Sequence, residues 1–246
     1  MPSNASKVAI VTGASRGIGA AVAQRLAQDG LTVVVNYAGN AEAAKQVLEK
    51  IETAGGKALT AQADVSKLDD VKRMFDAAET AFGGVDVLIN NAGIMRLAPM
   101  GEVSDELVDS QIAINLKGTI NTLREAARRL RDGGRVVNLS SSVVGLSLPS
   151  YGPYIATKAA VEGLTRVLAN ELRGRNITVN AVAPGPTATA LFLDGKSAEL
   201  VDRMAKMNPL ERLGTPEDIA AAVAFLVGPD GGWINGQVLR ANGGII

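Results

Sequence analysis

The chain of 246 residues carries 25 Lys and Arg against 25 Asp and Glu, so its formal net charge at neutral pH is zero. This balance gives no basic excess that would indicate nucleic acid or an anionic membrane as a partner. Cysteine and histidine are both absent, which excludes disulfides, thiolate nucleophiles, Cys-ligated metal sites and a Ser-His-Asp triad. In an enzyme of this composition, proton transfer falls to Tyr, Lys, Asp, Glu or water.

Targeting and membrane segments are not indicated either. Residues 1–7 lack the charged region and apolar run of a secretory signal. No uninterrupted apolar run approaches the ~20 residues that span a bilayer. We therefore expect a soluble, cytoplasmic protein without a metal site.

Apolar runs alternate with stretches of helical period along the whole chain. The predicted strands lie at 8–11, 31–35, 58–61, 85–89, 135–139, 177–182 and 237–239. The predicted helices include 20–28, 41–53, 69–81, 106–130 and 155–172. Such alternation is typical of a doubly wound, Rossmann-type α/β fold, with a parallel sheet of about seven strands and helices on both faces.

We expect a single domain over residues 1–246. The segment 186–213 breaks the alternation after a late strand, and we interpret it as a lid over the ligand crevice. The last residues, 233–246, are predicted to be buried.

A glycine-rich turn follows the first strand, with the sequence Thr12-Gly-Ala-Ser-Arg-Gly-Ile-Gly19. Gly13 allows a sharp turn, Gly17 lets the backbone approach a pyrophosphate, and Gly19 lets the next helix pack closely. Phosphates would lie at the N-terminus of that helix, near Ser15 and Ile18, where free N–H groups and the helix dipole favour anions. The alternative is a strand-to-helix turn whose glycines serve packing alone.

The end of the second strand indicates which nicotinamide cofactor binds. An NAD enzyme usually carries an acid there for the ribose hydroxyls, but this chain has Tyr37 and no acid before Glu42. Arg16 can offer a guanidinium to a 2′-phosphate, and Ser15 and Asn36 can add hydrogen bonds. The sequence therefore favours NADP(H) over NAD(H).

The motifs occur in a diagnostic order: the glycine turn, Asp64-Val65, Asn90-Asn-Ala-Gly93, Asn115, serines 140–142, Tyr154-x-x-x-Lys158 and Pro184-Gly185. In this order they resemble the short-chain dehydrogenase/reductase family over nearly the whole chain. The resemblance implies an oxidoreductase that moves a hydride between NADP(H) and a carbonyl or alcohol. It also implies a homotetramer assembled through 106–130, 153–172 and the C-terminal strand.

Four residues carry the chemistry that this resemblance implies. Tyr154 and Lys158 share a helix face, where an ammonium would lower the phenol pKa from about 10; the alternative is a surface pair. The resemblance makes Tyr154 the general acid/base, while Lys158 holds the nicotinamide ribose. Ser141, 13 residues before the tyrosine, would orient the substrate carbonyl, although Ser142 can be aligned instead. Asn115 would hold a water that connects Lys158 to solvent.

The resemblance also assigns the remaining cofactor contacts. Asp64 and Val65 would lie at the adenine, although Ser66 and Asp69 could instead form a local helix cap. Three small or amide residues would line the adenosine ribose, namely Asn91, Ala92 and Gly93. The loop after the sixth strand would contact the nicotinamide carboxamide through Pro184, Gly185, Thr187 and Thr189.

The sequence gives less information about the substrate than about the cofactor. Apolar residues after position 190 (Leu191, Phe192, Leu193, Met204, Met207 and Leu210), together with Met95, Leu146 and Leu148, line a substrate pocket or merely pack a lid helix. We favour a small ketone or aldehyde. The alternative is a 3-oxoacyl-(acyl-carrier-protein) reductase, whose acidic partner needs a basic patch that Arg175 fits and Asp132 does not. A non-catalytic NADP-binding sensor is a further alternative.

Overall fold

The computed structural model describes residues 6–246, so the expectation about the first residues lies mostly outside it. The first half contains β1 (Val8–Val11), α1 (Gly17–Gln28), β2 (Thr32–Tyr37), α2 (Ala41–Thr53), β3 (Lys57–Gln62), α3 (Leu68–Phe82), β4 (Val85–Asn90), α4 (Asp105–Gln111) and a π-helical segment (Ile112–Lys117). The second half contains α5 (Gly118–Arg129), β5 (Leu130–Leu139), α6 (Val143–Leu146), α7 (Gly152–Glu171), β6 (Thr178–Pro184), α8 (Ala190–Leu193), α9 (Ala198–Ala205), α10 (Pro216–Val227) and β7 (Val238–Ala241).

The strands of the described chain form one parallel sheet in the order β3-β2-β1-β4-β5-β6-β7. The strand order reverses between β1 and β4. Strands β1 to β3 extend toward one edge of the sheet, and β4 to β7 extend toward the other. In open α/β sheets, ligands bind at this switch point, beyond the carboxyl ends of the strands. The fold thus places a crevice where the glycine turn and the Asn90 strand end meet.

Both faces of the sheet are covered, as the continuous apolar strands predict. Strand β1 is buried throughout, with Ala9 and Val11 in the core beneath α1 and α10. Val8 and Ile10 face the opposite core, which is filled by side chains of α3, α5 and α7. The doubly wound fold predicted from the sequence is confirmed.

Two predicted features differ from the structure, and one helix was not predicted. The helix predicted over 106–130 consists of α4, the π-helical segment and α5, and Leu130 already belongs to β5. Helix α10 has no clear amphipathic period, because it is apolar on most sides where it packs between α1 and the sheet. Trp233 is 99 % exposed in the single chain rather than buried.

The segment between β6 and α10 leaves the sheet and returns beside its own start. A bridge joins Thr187 to Gly214; Ala188 N donates to Gly214 O at 2.8 Å, and Gly214 N donates to Pro186 O at 2.9 Å. The buried Asn208 side chain donates to Ala205 O and Arg212 O, both at 2.9 Å. The segment is therefore closed at its base. Within residues 6–246, none of the helices is both long and apolar enough to cross a membrane.

Candidate active site

The glycine turn between β1 and α1 requires glycine for two different reasons. Gly13 and Gly17 have φ of +60° and +56°, the left-handed region that other residues rarely adopt. At Gly19 the reason is space, because a Cβ there would lie 2.4 Å from both Gly13 O and the Asn91 side-chain nitrogen. The helix therefore starts directly against the β4 strand end, and its N-terminal N–H groups face the crevice.

Side-chain hydrogen bonds fix this turn to β4. Thr12 Oγ1 accepts from Asn91 N and Ala92 N, both at 3.0 Å. Asn91 Nδ2 donates back to Thr12 O at 2.9 Å and to Gly13 O at 3.0 Å. The family motif at Asn91 thus holds the turn in place and lines the crevice with backbone.

Asn36 differs from its predicted role. Its Oδ1 accepts from Gly13 N at 3.1 Å, and its Nδ2 donates to Ala61 O and Ala63 O, both at 3.1 Å. The side chain is 1 % exposed, so its polar atoms are committed to backbone groups rather than to a phosphate. Asn36 acts on the cofactor side by positioning the glycine turn.

One cavity of about 390 Å³ collects most of the predicted cofactor residues. It is lined by Gly13, Ser15, Arg16, Gly17, Ile18, Asn36, Tyr37, Asp64, Val65, Asn91, Ala92, Gly93 and Thr189, among others. Arg16 is exposed and is the N-cap residue of α1, at the end of the cavity that Tyr37 also lines. Gly19 is not among the lining residues of this cavity and packs against Gly13 and Asn91.

The Asp64 region combines a cavity wall with a helix start. Asp64 Oδ1 accepts from Ser66 N at 3.0 Å and from Ser66 Oγ at 2.7 Å. Asp64 N donates to Asp70 Oδ2 at 3.0 Å, and this bond lowers the pKa of the Asp70 carboxyl. The helix cap by Ser66 and Asp69 is therefore not formed, because Ser66 pairs with Asp64 and Lys67 is the N-cap residue of α3.

Tyr154 and Lys158 lie on α7, one turn apart and facing the sheet. Lys158 Nζ donates to Leu139 O at 2.7 Å and lies 5.7 Å from the centroid of the Tyr154 ring. The lysine is 6 % exposed, and burial lowers its pKa to about 8. Its ammonium is thus held at the carboxyl end of β5, in the crevice.

The phenol of Tyr154 differs from expectation. Burial raises its pKa to about 12, and the nearby Tyr151 adds to this increase, while a hydrogen bond with Ser141 acts in the opposite direction. The expected lowering by Lys158 is not what the structure shows, because the ammonium points to Leu139 O rather than to the phenol oxygen. The phenol is accordingly protonated at neutral pH.

The three serines after β5 have different partners. Ser140 Oγ donates to Glu162 Oε1 at 2.7 Å. Ser142 Oγ donates to Ala183 O at 3.0 Å and accepts from Asn242 Nδ2 at 2.9 Å. Ser141 Oγ accepts from Val143 N at 3.4 Å and lines the same cavity as Tyr154. Of the three hydroxyls, that of Ser141 is the one that acts to lower the pKa of the Tyr154 phenol.

Asn115 lies in the π-helical segment and is 1 % exposed. Its Oδ1 accepts from Ile94 N at 2.8 Å, and its Nδ2 donates to Ile94 O at 2.9 Å and to Thr157 Oγ1 at 3.3 Å. The side chain therefore ties the loop after β4 to the helix that carries Tyr154. π-Helical turns of this kind occur frequently at functional sites.

A second cavity, of about 140 Å³, adjoins the first and shares Ile18, Asn91, Gly93, Ile94, Thr189 and Leu191 with it. It is lined by Ser141, Tyr154 and Lys158, by Pro184, Gly185 and Thr187, and by apolar side chains from α6, the lid and Ile245. The structure thus brings three of the predicted catalytic residues, Ser141, Tyr154 and Lys158, to the end of the predicted cofactor cleft, whereas Asn115 lines neither cavity.

Comparison with known proteins agrees with this geometry. Residues 13–246 match the model of the family described as enoyl-(acyl carrier protein) reductase. An NADPH-dependent aldehyde reductase-like protein from Arabidopsis thaliana is 44 % identical, over 98 % of this chain and 95 % of its own. A 3-oxoacyl-(acyl-carrier-protein) reductase from Staphylococcus aureus is 43 % identical over 98 % of both chains.

A solved short chain dehydrogenase from Burkholderia cenocepacia, in complex with NADP, superposes with a TM-score of 0.92 at 40 % identity over 97 % of both chains. The chain belongs to the short-chain dehydrogenase/reductase family. It is therefore an oxidoreductase, and the resemblance drawn from its motifs is confirmed.

Sequence reasoning assigned no role to Gln111 in this short-chain dehydrogenase/reductase. Gln111 is fully buried; its Oε1 accepts from Arg96 N at 3.4 Å, and its Nε2 donates to Arg96 O at 3.2 Å. The signal that could have found it is a polar residue four positions before Asn115 in an otherwise apolar stretch, Gln111-Ile-Ala-Ile114.

Proposed function

We propose that the protein is an NADP(H)-dependent oxidoreductase that reversibly reduces a ketone or aldehyde to the alcohol, with Tyr154 as general acid/base. The observation that carries this proposal is the meeting of Ser141, Tyr154 and Lys158 in a cavity continuous with the glycine-turn cleft. The similarity to an NADPH-dependent aldehyde reductase-like protein from Arabidopsis and to a Burkholderia dehydrogenase solved with NADP supports the cofactor.

The glycine turn fits a dinucleotide. Helix α1 begins at the end of this turn, and a Cβ at Gly19 would collide with the backbone of the turn. The turn therefore leaves space for a pyrophosphate at the N-terminus of the helix. Arg16 and Ser15 would hold the 2′-phosphate, and Asp64 with Val65 would line the adenine. Lys158 and Thr189 would hold the nicotinamide end. Tyr37 in place of an acid removes the repulsion that a 2′-phosphate would meet.

In the reduction, a few side chains would each have a separate role. NADPH supplies the hydride for the carbonyl carbon when bound. Tyr154 donates its phenolic proton to the carbonyl oxygen, and its raised pKa keeps that proton available at neutral pH. Ser141 orients and polarises the same oxygen through its hydroxyl. The Lys158 ammonium supplies positive charge near the resulting phenolate, and Asn115 supports the water that resupplies the proton.

Geometry around Arg175 favours a small carbonyl compound over a carrier-bound thioester. Its guanidinium donates to Asp132 Oδ1 at 2.8 Å, to Ala127 O at 2.7 Å and to Leu130 O. An arginine paired in this way offers little positive charge to an acidic carrier protein. The lysine- or arginine-rich patch that the alternative requires is therefore weakened at the position where the sequence indicated it.

Two further properties belong to the proposal. Residues 186–213 act as the lid of a single domain, because the ends of the segment are bridged at Thr187 and Gly214 and the segment carries one wall of the cavity. The protein is also a cytoplasmic homotetramer assembled through α4, α5, α7 and β7. Three apolar side chains are exposed in the single chain: Val167 on α7, Trp233 just before β7, and Phe225 on α10. Light scattering should give the tetramer mass at micromolar concentration, and a monomer alone would contradict this assembly.

The test of function is NADPH oxidation with Tyr154→Phe as the key variant. Wild type should oxidise NADPH in the presence of ketones or aldehydes. The variant should lose turnover by roughly 1,000-fold or more while its affinity for NADPH changes little. Full activity of the variant would refute the role of Tyr154. Binding of NADPH by the wild type without turnover of any carbonyl would instead support the sensor alternative.

A further inference from the structure

The substrate side of the small cavity is apolar. Most of its remaining wall is made of Val143, Leu146 and Leu148 on one side, Phe192, Met204 and Met207 on the lid, and Ile245. Tyr151 adds a phenol, and Ser140 and Ser142 add hydroxyls that are already bonded within the protein. Among the lining residues of the described chain, Lys158 alone carries a formal charge at neutral pH. Its Nζ already donates to Leu139 O.

The mouth of the cavity carries further apolar side chains. An outer groove beside it is lined by Met95, Leu97, Leu191, Leu193 and Leu200, and also by Arg16, Asp194 and Lys196. Leu97, Leu191 and Leu193 are 37 %, 44 % and 39 % exposed. Contiguous exposed apolar side chains at a cleft mark a binding surface for apolar groups.

We propose that the substrates are neutral, apolar aldehydes and ketones, and that this site rejects carbonyl compounds bearing a carboxylate or phosphate; the inference rests on the proposed function. A carboxylate placed against the apolar wall would lose its hydration, and the one cation of the lining, Lys158, already donates to Leu139 O, so its burial is strongly unfavourable. Polyhydroxylated sugars would leave hydroxyl groups without hydrogen bonds against the same side chains.

A matched trio of aldehydes tests this inference: benzaldehyde, 4-methylbenzaldehyde and 4-carboxybenzaldehyde. The kcat/KM for the carboxylate should fall by roughly 100-fold or more relative to both neutral compounds. The 4-methyl compound controls for bulk at the same ring position. Comparable kcat/KM values for the carboxylate and the neutral pair would overturn the inference.

A charge inserted in the wall sharpens the test. Met207→Lys should shift the ratio toward 4-carboxybenzaldehyde by about tenfold or more. Met100→Lys is the matched control, because Met100 is 72 % exposed and lies outside the cavity lining. An unchanged ratio in Met207→Lys would contradict the proposed location of the ring.

Failure of the proposed function remains distinguishable from failure of the substrate class. If NADPH binds and no aldehyde is turned over, the proposed function fails. Affinities of benzyl alcohol and 4-carboxybenzyl alcohol for the NADP-loaded protein then decide the substrate class. Tighter binding of benzyl alcohol supports an apolar site, and equal or reversed affinities overturn it.

A separate observation concerns the loop after β4. Two buried amides, Gln111 and Asn115, each satisfy both the N–H and the C=O of one loop residue, Arg96 and Ile94 respectively. Met95 lies between these two anchored residues, and it lines both the small cavity and the outer groove. These four hydrogen bonds hold the loop against the helical segment that carries Gln111 and Asn115.

We infer that Gln111 is a positioning residue for substrate recognition, acting through Met95. Its amide fixes the backbone that presents this side chain to the cavity, whereas the cofactor cleft is anchored separately through Thr12 and Asn91. Loss of the amide should therefore affect the carbonyl compound and leave the cofactor unaffected.

Gln111→Met tests this role, since it removes both hydrogen bonds and keeps the side-chain length. The KM for an apolar aldehyde should rise by about tenfold while the NADPH dissociation constant stays within twofold. Gln28→Met, at an exposed position of α1, should change neither. Equal losses for aldehyde and NADPH, or no change in either, would overturn the inference.

A double variant tests whether Gln111 acts through Met95. Met95→Ala removes the side chain that the loop presents and should raise the same KM. Combining the two changes should give no more than the larger single effect, because both act through one contact. Fully additive effects would show that Gln111 does not act through Met95. Should Gln111→Met fail to fold, Gln111→Glu replaces it in this cycle with the same expected pattern.

Discussion

The two walls of the crevice are built in different ways. The cofactor side is fixed by backbone and amide hydrogen bonds, with Thr12, Asn36 and Asn91 each binding main-chain groups of the glycine turn or its neighbours. The lid side presents apolar side chains on a segment whose described backbone bonds to the rest of the protein gather at Thr187 and Gly214. The first wall is preformed for one invariant ligand, while the second can adjust to different ones.

The largest expected effect on cofactor binding comes from Gly19→Ala. A Cβ at this position would lie 2.4 Å from Gly13 O, which is backbone and cannot move without opening the turn. We expect a loss of about 3 kcal/mol or more in NADPH binding, roughly a 100-fold rise in its dissociation constant. Isothermal titration calorimetry with NADPH measures it.

Gly101→Ala is the control for this change. A Cβ at Gly101 meets nothing within 4 Å, and the residue lies outside both cavities. Its affinity for NADPH should equal that of wild type. A Gly19→Ala protein that binds NADPH normally would show that the cofactor wall is as adjustable as the lid.

Cofactor selectivity is the next effect in size. Arg16 is exposed at the start of α1, so its charge–phosphate contact is partly screened by solvent. Arg16→Ala should lower the NADPH-to-NADH ratio of kcat/KM by roughly 10- to 100-fold, chiefly through NADPH. Initial rates with both cofactors at low and high salt check it. A native protein that uses both cofactors equally, unchanged in the variant, would remove Arg16 from the phosphate site.

The contrast between the walls also explains what the sequence could predict. Apolar runs and glycine spacing are local, and they locate the sheet, the turn and the cleft. The role of Asn36 depends on carbonyls of β3 and its following loop, which only the fold brings within 3.1 Å. The phenol pKa of Tyr154 depends on burial by segments distant in sequence. The spacing on one helix therefore identified Tyr154 and Lys158 as a pair but gave the wrong direction for the shift of the Tyr154 pKa.

Two further elements escaped the sequence for related reasons. Helix α10 is apolar on most sides, so no period distinguishes it from a strand or a loop of the core. The π-helical segment inserts a wider turn that presents Asn115 to Ile94, and its residues alone resemble an ordinary helix. Both features depend on packing partners that the local pattern does not contain.

Lys158 links the site to the stability of the fold. Burial lowers its pKa from 10.5 to about 8, so between these pH values the unfolded chain binds more protons than the folded one. Stability therefore rises with pH across this window, by about 3 kcal/mol in total, and the protein lacks this contribution below pH 8. The charge that the site uses is retained at the expense of stability.

Lys158→Met should therefore abolish turnover yet stabilise the protein at pH 7. Leu139 O then loses its donor, which costs about 1–3 kcal/mol, so the net gain is ~1 kcal/mol and the Tm rises by roughly 2–4 °C. At pH 10 the order should reverse, because wild-type Lys158 is then largely neutral. Thermal unfolding at both pH values measures this. A Tm difference that does not depend on pH would contradict the cause assigned to the lysine pKa.

The smallest expected effects come from removing two helix caps, one on the lid and one on a core helix. Thr215 Oγ1 accepts from Asp218 N at 3.2 Å, and Asp218 Oδ2 accepts from Thr215 N at 2.8 Å, at the start of the core helix α10. Ser197 Oγ accepts from Leu200 N at 3.3 Å at the start of α9. None of the eight residues of α9, all of them described, is fully buried.

Removing each cap should therefore give different results. Thr215→Ala should lower the Tm by roughly 2–4 °C, for a loss of about 1 kcal/mol, because α10 unfolds with the core. Ser197→Ala should leave the Tm within about 1 °C and raise the aldehyde KM by a few-fold, since lid opening is local. Calorimetry and initial rates on both proteins check this. Equal Tm losses would mean that the lid unfolds with the core, and the distinction between a fixed and an adjustable wall would not hold.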